Sequence, residues 1–244
     1  MAWLTPLLWP FVRALALFTS MPVLGTRMVP TRVRIALAAF IAFAAQTSLP
    51  TMPTVALDSP LALALVIQQL VVGLSLGMAV RVLFAAVEFA GEMIGLQMGL
   101  NFAGFFDPIS ATQGTATARF FGTTVSWLFI VINGHLLVIG ALVDSFTSFP
   151  AGPEPFAFLK TAQPHKWAGE IFGTGLWIAL PLIAMLLFVN LVLGMISRVA
   201  SQINVFAIGF PITLGVGLLG MFMTLPLMQT PFMLAMDRLL SGFR

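Results

Sequence analysis

Apolar and polar positions fall along this chain in long blocks. Uncharged stretches cover residues 14–26, 35–57, 59–80, 120–143, 171–197 and 199–236, and several exceed the roughly 20 apolar residues a helix needs to cross a bilayer. The pattern predicts an all-α membrane protein with six candidate segments of unequal quality. The first, about Trp3 to Met21, carries Arg13 near its middle, which costs about 2.5–3.5 kcal/mol on insertion unless the charge is paired or near water. It is therefore not a free lipid-facing span. The second has fifteen residues from Ile35 before Pro50, about 22 Å of helix against a hydrocarbon core of ~30 Å. Leu61–Val80, despite Gln68 and Gln69, is cleaner, and Phe120–Val143 and Ile171–Ser197 are long enough for single helices. The last run is 38 residues with Pro211, Pro226 and Pro231, a pattern that fits a loop, a bent helix and a frayed end better than one rod. A terminal hairpin from Ile171–Ser197 and about Phe210–Leu240 follows.

Composition agrees: 59% of residues are hydrophobic, 8% are charged and mean hydropathy is +1.05. Arg13 follows the first apolar run instead of preceding it, so the N-terminus is expected to be retained. Arg27, Arg32 and Arg34 form the one basic cluster. The positive-inside rule puts that loop in the cytoplasm and, by alternation, places Arg81 and Arg198 there and both chain ends outside. The loop Asp144–Glu170 is net acidic and agrees, whereas Arg238 and Arg244 oppose this assignment. A net charge of +3, dispersed at the ends of apolar runs, fits lipid and topology better than a nucleic-acid footprint, so no nucleic-acid partner is expected. With no cysteine there are no disulfides or thiolate metal sites. His135 and His165 have no acidic neighbour in helical register, and neither lysine follows a phosphate-binding glycine loop, so no metal or other cofactor is expected. Ser126 and His135 are nine residues apart and face opposite ways on a helix. Enzyme activity is not expected.

The densest functional pattern runs from Glu88 to Pro108. Helical period would put Glu88, Gly91, Glu92, Gly95 and Gly99 on one stripe and point Gln97 and Asn101 the opposite way. Hydrocarbon solvates neither carboxylate nor amide, so such a helix must be enclosed by protein or border water. Glycines at spacing four, here and at Gly73 and Gly77, let backbones approach; plain helix packing is the simpler reading of the Gly73 pair, whereas the neighbouring Glu88 and Glu92 count against it for the second ladder. Glu88 and Glu92 repel and call for a cation or water between them, with Arg81 two turns upstream as a candidate. Gly104-Phe105-Phe106-Asp107-Pro108 must leave the helix. At membrane depth that loop is either a packed turn or a constriction in which the two phenyl rings close a narrow passage by dewetting. Gln97, Met98, Asn101, Phe105, Phe106, Asp107 and Pro108 are the candidate pore or plug residues. Ser110–Thr117 is small and polar, suited to a mobile segment. A second dense motif, Ser197 to Pro211, reads as a polar hairpin loop in which Arg198, Gln202, Asn204 and Phe206 are candidate partner contacts.

With both motifs placed, the chain resembles the FliR family, the R subunit of the flagellar type III export gate, related to the virulence-secretion SctT proteins. The likeness rests on Pro22-Val23-Leu24-Gly25 with the Pro30–Arg34 basic turn, on Gly91–Gly99 (GEMIGLQMG) running into Phe106-Asp107-Pro108, and on Arg198–Pro211 (RVASQINVFAIGFP). Ser201 stands where the family usually has proline. Thr213 replaces a lysine associated with virulence members, which favours the flagellar branch. The resemblance implies irregular helical hairpins: a P-subunit-like part over residues 1–169 with a plug loop near 104–118, then a Q-subunit-like hairpin over 170–244 with a polar loop at 197–211. It further implies assembly with the P and Q subunits (FliP, FliQ), contact of the 198–204 turn with FlhB, FlhA as a further partner, and passage of unfolded flagellar proteins across the bacterial inner membrane. Parts of the assembly would be raised from the bilayer plane at the flagellar basal body, with lipid against the remainder. The alternatives are a virulence export-gate subunit, a small-molecule or ion transporter using Glu88, Glu92 and Arg81 as a relay, and a purely structural scaffold.

Overall fold

A computed structural model describes residues 5–26, 28–56, 58–100, 114–152, 154, 156, 158, 167–199 and 205–243. Its elements are α1 (Thr5–Ser20), α2 (Thr31–Ala44, continued by a 3-10 turn Ala45–Thr47), α3 (Pro60–Gln97), α4 (Ala116–Val131), α5 (Gly134–Ser148), α6 (Trp167–Val199), α7 (Val205–Thr224), a 3-10 turn Leu225–Met228, and α8 (Gln229–Ser241). The all-α expectation holds. Among the described residues three helical stretches, Pro60–Gln97, Trp167–Val199 and Ala207–Ser241, are long and apolar enough to cross a membrane, and α4 with α5 makes a fourth only as a broken span. At 16 and 14 residues, α1 and α2 fall short of one, as their sequences predict.

Four boundaries differ from the sequence reading, one of them the polar loop read over 197–211, where residues 197–199 end α6 and residues 205–211 already belong to α7. First, α3 does not stop at Val80 but continues 38 residues to Gln97. A single arginine does not end a helix, and Arg81 is exposed on its surface. The alternation argument that carried Arg81 to the cytoplasm therefore has no loop at that position. Second, Phe120–Val143 is not one span: it breaks at Asn133, whose φ is +57°. Asn tolerates the left-handed region, and Gly134 follows because a Cβ there would meet the Phe129 ring at 2.5 Å and Phe129 O at 2.9 Å. Third, α2 begins at Thr31, so Arg32 and Arg34 lie in its first turn, where Arg34 donates to Thr26 O and to Val29 O. The start of α3 follows ordinary capping, with Ser59 Oγ accepting the Ala62 N–H at 3.2 Å and Pro60 at the first helical position.

The chain divides into two compact units. The first comprises Met1–Val82, Phe129–Ala168 and Met236–Arg244. Within it α1 buries Trp9, Arg13, Ala14, Leu17 and Phe18 on one stripe, the spacing of an amphipathic helix, and Met21 just past its end is buried too. Gly73 and Gly77 of α3 let α1 lie against α3: a Cβ on Gly73 would run into Arg13 O and Ala16 Cβ, and one on Gly77 into Ser20. Phe149, Phe158, Phe243 and Trp167 form a chain of ring contacts 4.9–5.9 Å apart.

The second unit comprises Leu83–Leu128 and Gly169–Ala235. In it close glycine contacts again join helices: Gly175 of α6 meets Ala86 O and Phe89 of α3, Gly217 of α7 meets Met98 just past the end of α3, and Gly220 of α7 meets Leu182 and Met185 of α6. Edge-on ring pairs Phe84–Phe232 and Phe89–Phe172 fill the gaps, with centroids 6.2 and 5.2 Å apart.

Candidate functional site

The Glu88–Gly95 part of the predicted stripe is the meeting line of α3 and α4. A Cβ on Gly91 would lie 2.9 Å from both Ala118 Cα and Thr117 O, so the first turn of α4 rests directly on the α3 backbone. One turn on, a Cβ on Gly95 would collide with Thr117 Oγ1 and sit 3.2 Å from Thr115 Oγ1. Between these glycines Glu92 turns its carboxylate to the start of α4. Its Oε2 accepts the Thr115 N–H at 3.2 Å and the Thr115 hydroxyl at 2.7 Å. Thr115 Oγ1 in turn accepts the Ala118 N–H at 3.1 Å and lies 2.9 Å from the Thr117 hydroxyl. Thr115 is thus the N-cap of α4. The acidic group that a capping box takes from the helix itself comes here from another helix, placed where a helix N-terminus favours negative charge.

Glu88 lies beside Gly122 of α4, where a Cβ would stand 3.0 Å from Oε1. Glu88 and Glu92 share a cleft of about 620 Å³ with Phe89, Arg119 and Thr123. Arg119, a residue the sequence does not single out, also lines that cleft.

The remaining candidates are dispersed. Gln97 is half-buried as the last residue of α3. Met98 is fully buried, with its side chain on Gly217 of α7, so in this structure it faces protein and not an open passage. Gly99 is not a packing position on the helix stripe: α3 has ended, and Gly99, at φ +79° with its N–H on Leu96 O, closes the helix in the left-handed conformation. Asn101, Phe105, Phe106, Asp107 and Pro108 lie outside the described residues. Of the segment Ser110–Thr117, read as mobile, residues 114–117 are described, and Thr115–Thr117 form the hydrogen-bonded start of α4 instead. Arg198 is exposed in the last turn of α6. Gln202 and Asn204 lie outside the described residues, as does the Phe206 side chain, although its backbone is in the first turn of α7.

In the other unit, Arg13 supplies what its sequence position demanded. It is fully buried and donates from Nε to Gln69 Oε1 at 2.7 Å, from Nη1 to Ser145 O and Oγ at 2.8 and 2.9 Å, and from Nη2 to Phe149 O at 2.9 Å. Its guanidinium carbon stands 3.7 Å above the Phe146 ring centroid. The chain of bonds continues from Gln69 to Gln68, and Gln68 holds Pro150 O and the Gly152 N–H. The two mid-run glutamines are therefore not lipid-facing. They complete a polar clamp joining α1, α3 and the residues after α5.

Long apolar helices joined through glycine contacts, with buried polar groups meeting one another instead of lipid, define an integral α-helical membrane protein. Comparison with known proteins narrows the class. The family described as bacterial export proteins, family 1, matches residues 4–239. The chain is 45% identical over 232 residues to the flagellar biosynthetic protein FliR of Escherichia coli (strain K12), covering 95% of this chain and 88% of the relative. It is 43% identical over 233 residues to FliR of Pectobacterium carotovorum subsp. carotovorum, covering 94% and 87%. Against FliR of Bacillus subtilis (strain 168) the identity is 31% over 213 residues, covering 84% and 80%. The chain belongs to the FliR family of flagellar biosynthetic export proteins.

Proposed function

We propose that the chain works, without enzymatic chemistry of its own, as a pore and gate subunit of the flagellar type III export apparatus in the bacterial inner membrane. It passes unfolded flagellar proteins that other parts of the apparatus drive. Residues 1–169 take the P-subunit-like role and 170–244 the Q-like hairpin, in an assembly with FliP and FliQ, with FlhB at its cytoplasmic turn and FlhA as a further partner. The Phe105–Pro108 loop helps close the passage, and the turn around Arg198, Gln202 and Asn204 contacts the cytoplasmic partner.

The observation that carries this reading is the way the loop is bracketed. Glycines at φ +79° stand on each side of it, Gly99 and Gly114. Its upstream stem is set by Met98 buried on Gly217, and its downstream stem by Thr115 bonded to Glu92. Two fixed stems so close to an aromatic, proline-containing segment suit an element whose position matters. The test is ion leak in cells carrying Phe105→Gly with Phe106→Gly. Raised leak through assembled complexes is expected, and unchanged impermeability with normal flagellar secretion would contradict the plug role.

A further inference from the structure

We infer that Glu92 is a positioning residue of the gate: from α3 it serves as the missing half of the capping box of α4, and so fixes Thr115, on the C-terminal side of the Phe105–Pro108 segment proposed above as the plug. Three observations converge. Oε2 alone accepts both Thr115 donors, the N–H at 3.2 Å and the hydroxyl at 2.7 Å. The same hydroxyl oxygen takes the Ala118 N–H, so the bond from Glu92 orients the group that caps the helix. Gly91 and Gly95 flank Glu92 with no side chain, and the atoms that close on them are Ala118 Cα, Thr117 O and the Thr115 and Thr117 hydroxyls, so the backbone approach that glycine permits is what brings the cap within reach. Position N3 of α4 is Ala118, which cannot make the return bond of a local capping box. Glu92, 23 residues away, makes it.

The role is one of hydrogen bonding and not of proton or ion relay, and this separates it from a transport function for the same carboxylate. Gln at 92 keeps an oxygen able to accept both Thr115 donors, whereas a relay needs the ionisable group. The consequence for gating rests on the plug reading above; the cap itself does not.

The experiment uses the assembled complex copurified from membranes, with amide exchange read at Thr115 and Ala118 and ion leak read in cells. Glu92→Ala is expected to speed exchange at Thr115 about tenfold, the equivalent of one charge-assisted hydrogen bond, and to raise leak per assembled complex. Glu92→Gln and Thr115→Ser are expected to restore most of the protection and tightness. If Glu92→Ala does not assemble, Thr115→Val, which keeps the backbone bond and loses the hydroxyl, is expected to speed exchange at Ala118. Unchanged exchange in these variants, or Glu92→Gln exchanging as fast as Glu92→Ala, would overturn the inference. Leak from the Phe105→Gly, Phe106→Gly pair separates the two claims. If that pair is tight while Glu92→Ala exchanges faster, the plug reading falls and the cap stands. If the pair leaks and Glu92→Ala exchanges faster yet stays tight, the positioning role falls and the plug reading stands.

Discussion

A guanidinium offers five N–H donors in a rigid fork, and Arg13, itself fully buried, places four hydrogen bonds from them on neutral acceptors, three buried and the one to Phe149 O part-buried. Ser145 O has a second donor in the Phe149 N–H, so Arg13→Ala leaves chiefly Gln69 Oε1 and Phe149 O without their guanidinium donors. At ~1–3 kcal/mol for a buried unsatisfied acceptor, Gln69 Oε1 alone accounts for that much before the cavity is counted, and the part-buried Phe149 O adds less. That is a large part of the ~5–15 kcal/mol that holds a domain together. Arg13→Lys should recover only part of it, since one ammonium cannot reach all three residues. Thermal unfolding of the detergent-solubilised protein, read as loss of the monodisperse fraction, checks both: the order of stability should be wild type, then Lys, then Ala. A wild-type midpoint in Arg13→Ala would show the clamp to be dispensable.

At the scale of elements, glycine contacts decide which helices lie against one another. Gly95→Leu places a side chain where the Thr117 hydroxyl already lies, so it should separate α4 from α3 and prevent recovery of the assembled gate. The matching controls are Gly194 and Gly215, helix-interior positions with nothing within 4 Å of an added Cβ. Alanine there should stabilise the isolated chain by up to about 1 kcal/mol through helix propensity alone. A destabilised midpoint would mean that these faces do pack. At the α4–α5 break, Asn133→Val should cost about 1–2 kcal/mol, because a β-branched residue resists the left-handed conformation, whereas Asn133→Gly should be tolerated. Equal unfolding midpoints for the two would refute the strain argument.

These elements also mark where sequence reading succeeds. Long uncharged runs gave the spanning stretches, and spacing four identified Gly91 and Gly95 beside Glu92, because both signals are local to one helix. The Asn-Gly pair at 133–134 is a turn signal that hydropathy overrode. The continuation of α3 past Arg81 was hidden because charge was taken for a boundary when the helix only exposes it. Thr115 was missed for a deeper reason. Its cap partner is 23 residues distant, so the local sequence, with alanine at N3, shows a small polar stretch and no capping box.

For the whole molecule the governing quantity is apolar surface. In α3, 56% of the most apolar stretch is buried, against 28% in α6 and 28% in Ala207–Ser241, where Trp177, Phe188 and Phe222 are among the exposed side chains. At 33 residues, α6 rises about 50 Å, well beyond the ~30 Å of a hydrocarbon core. Lipid alone cannot cover such a helix when it stands upright, and α1 and α2 are too short to cross. These mismatched lengths support the proposal above that the chain is a subunit covered by partners of the same helical kind. The direct measurement is recovery of the tagged chain from membranes in mild detergent, with and without coexpression of the other export-gate membrane proteins. The account predicts a stable complex with small helical membrane partners and poor recovery of the chain alone. A monomer that is folded, stable in phospholipid and equally abundant without those partners would contradict it.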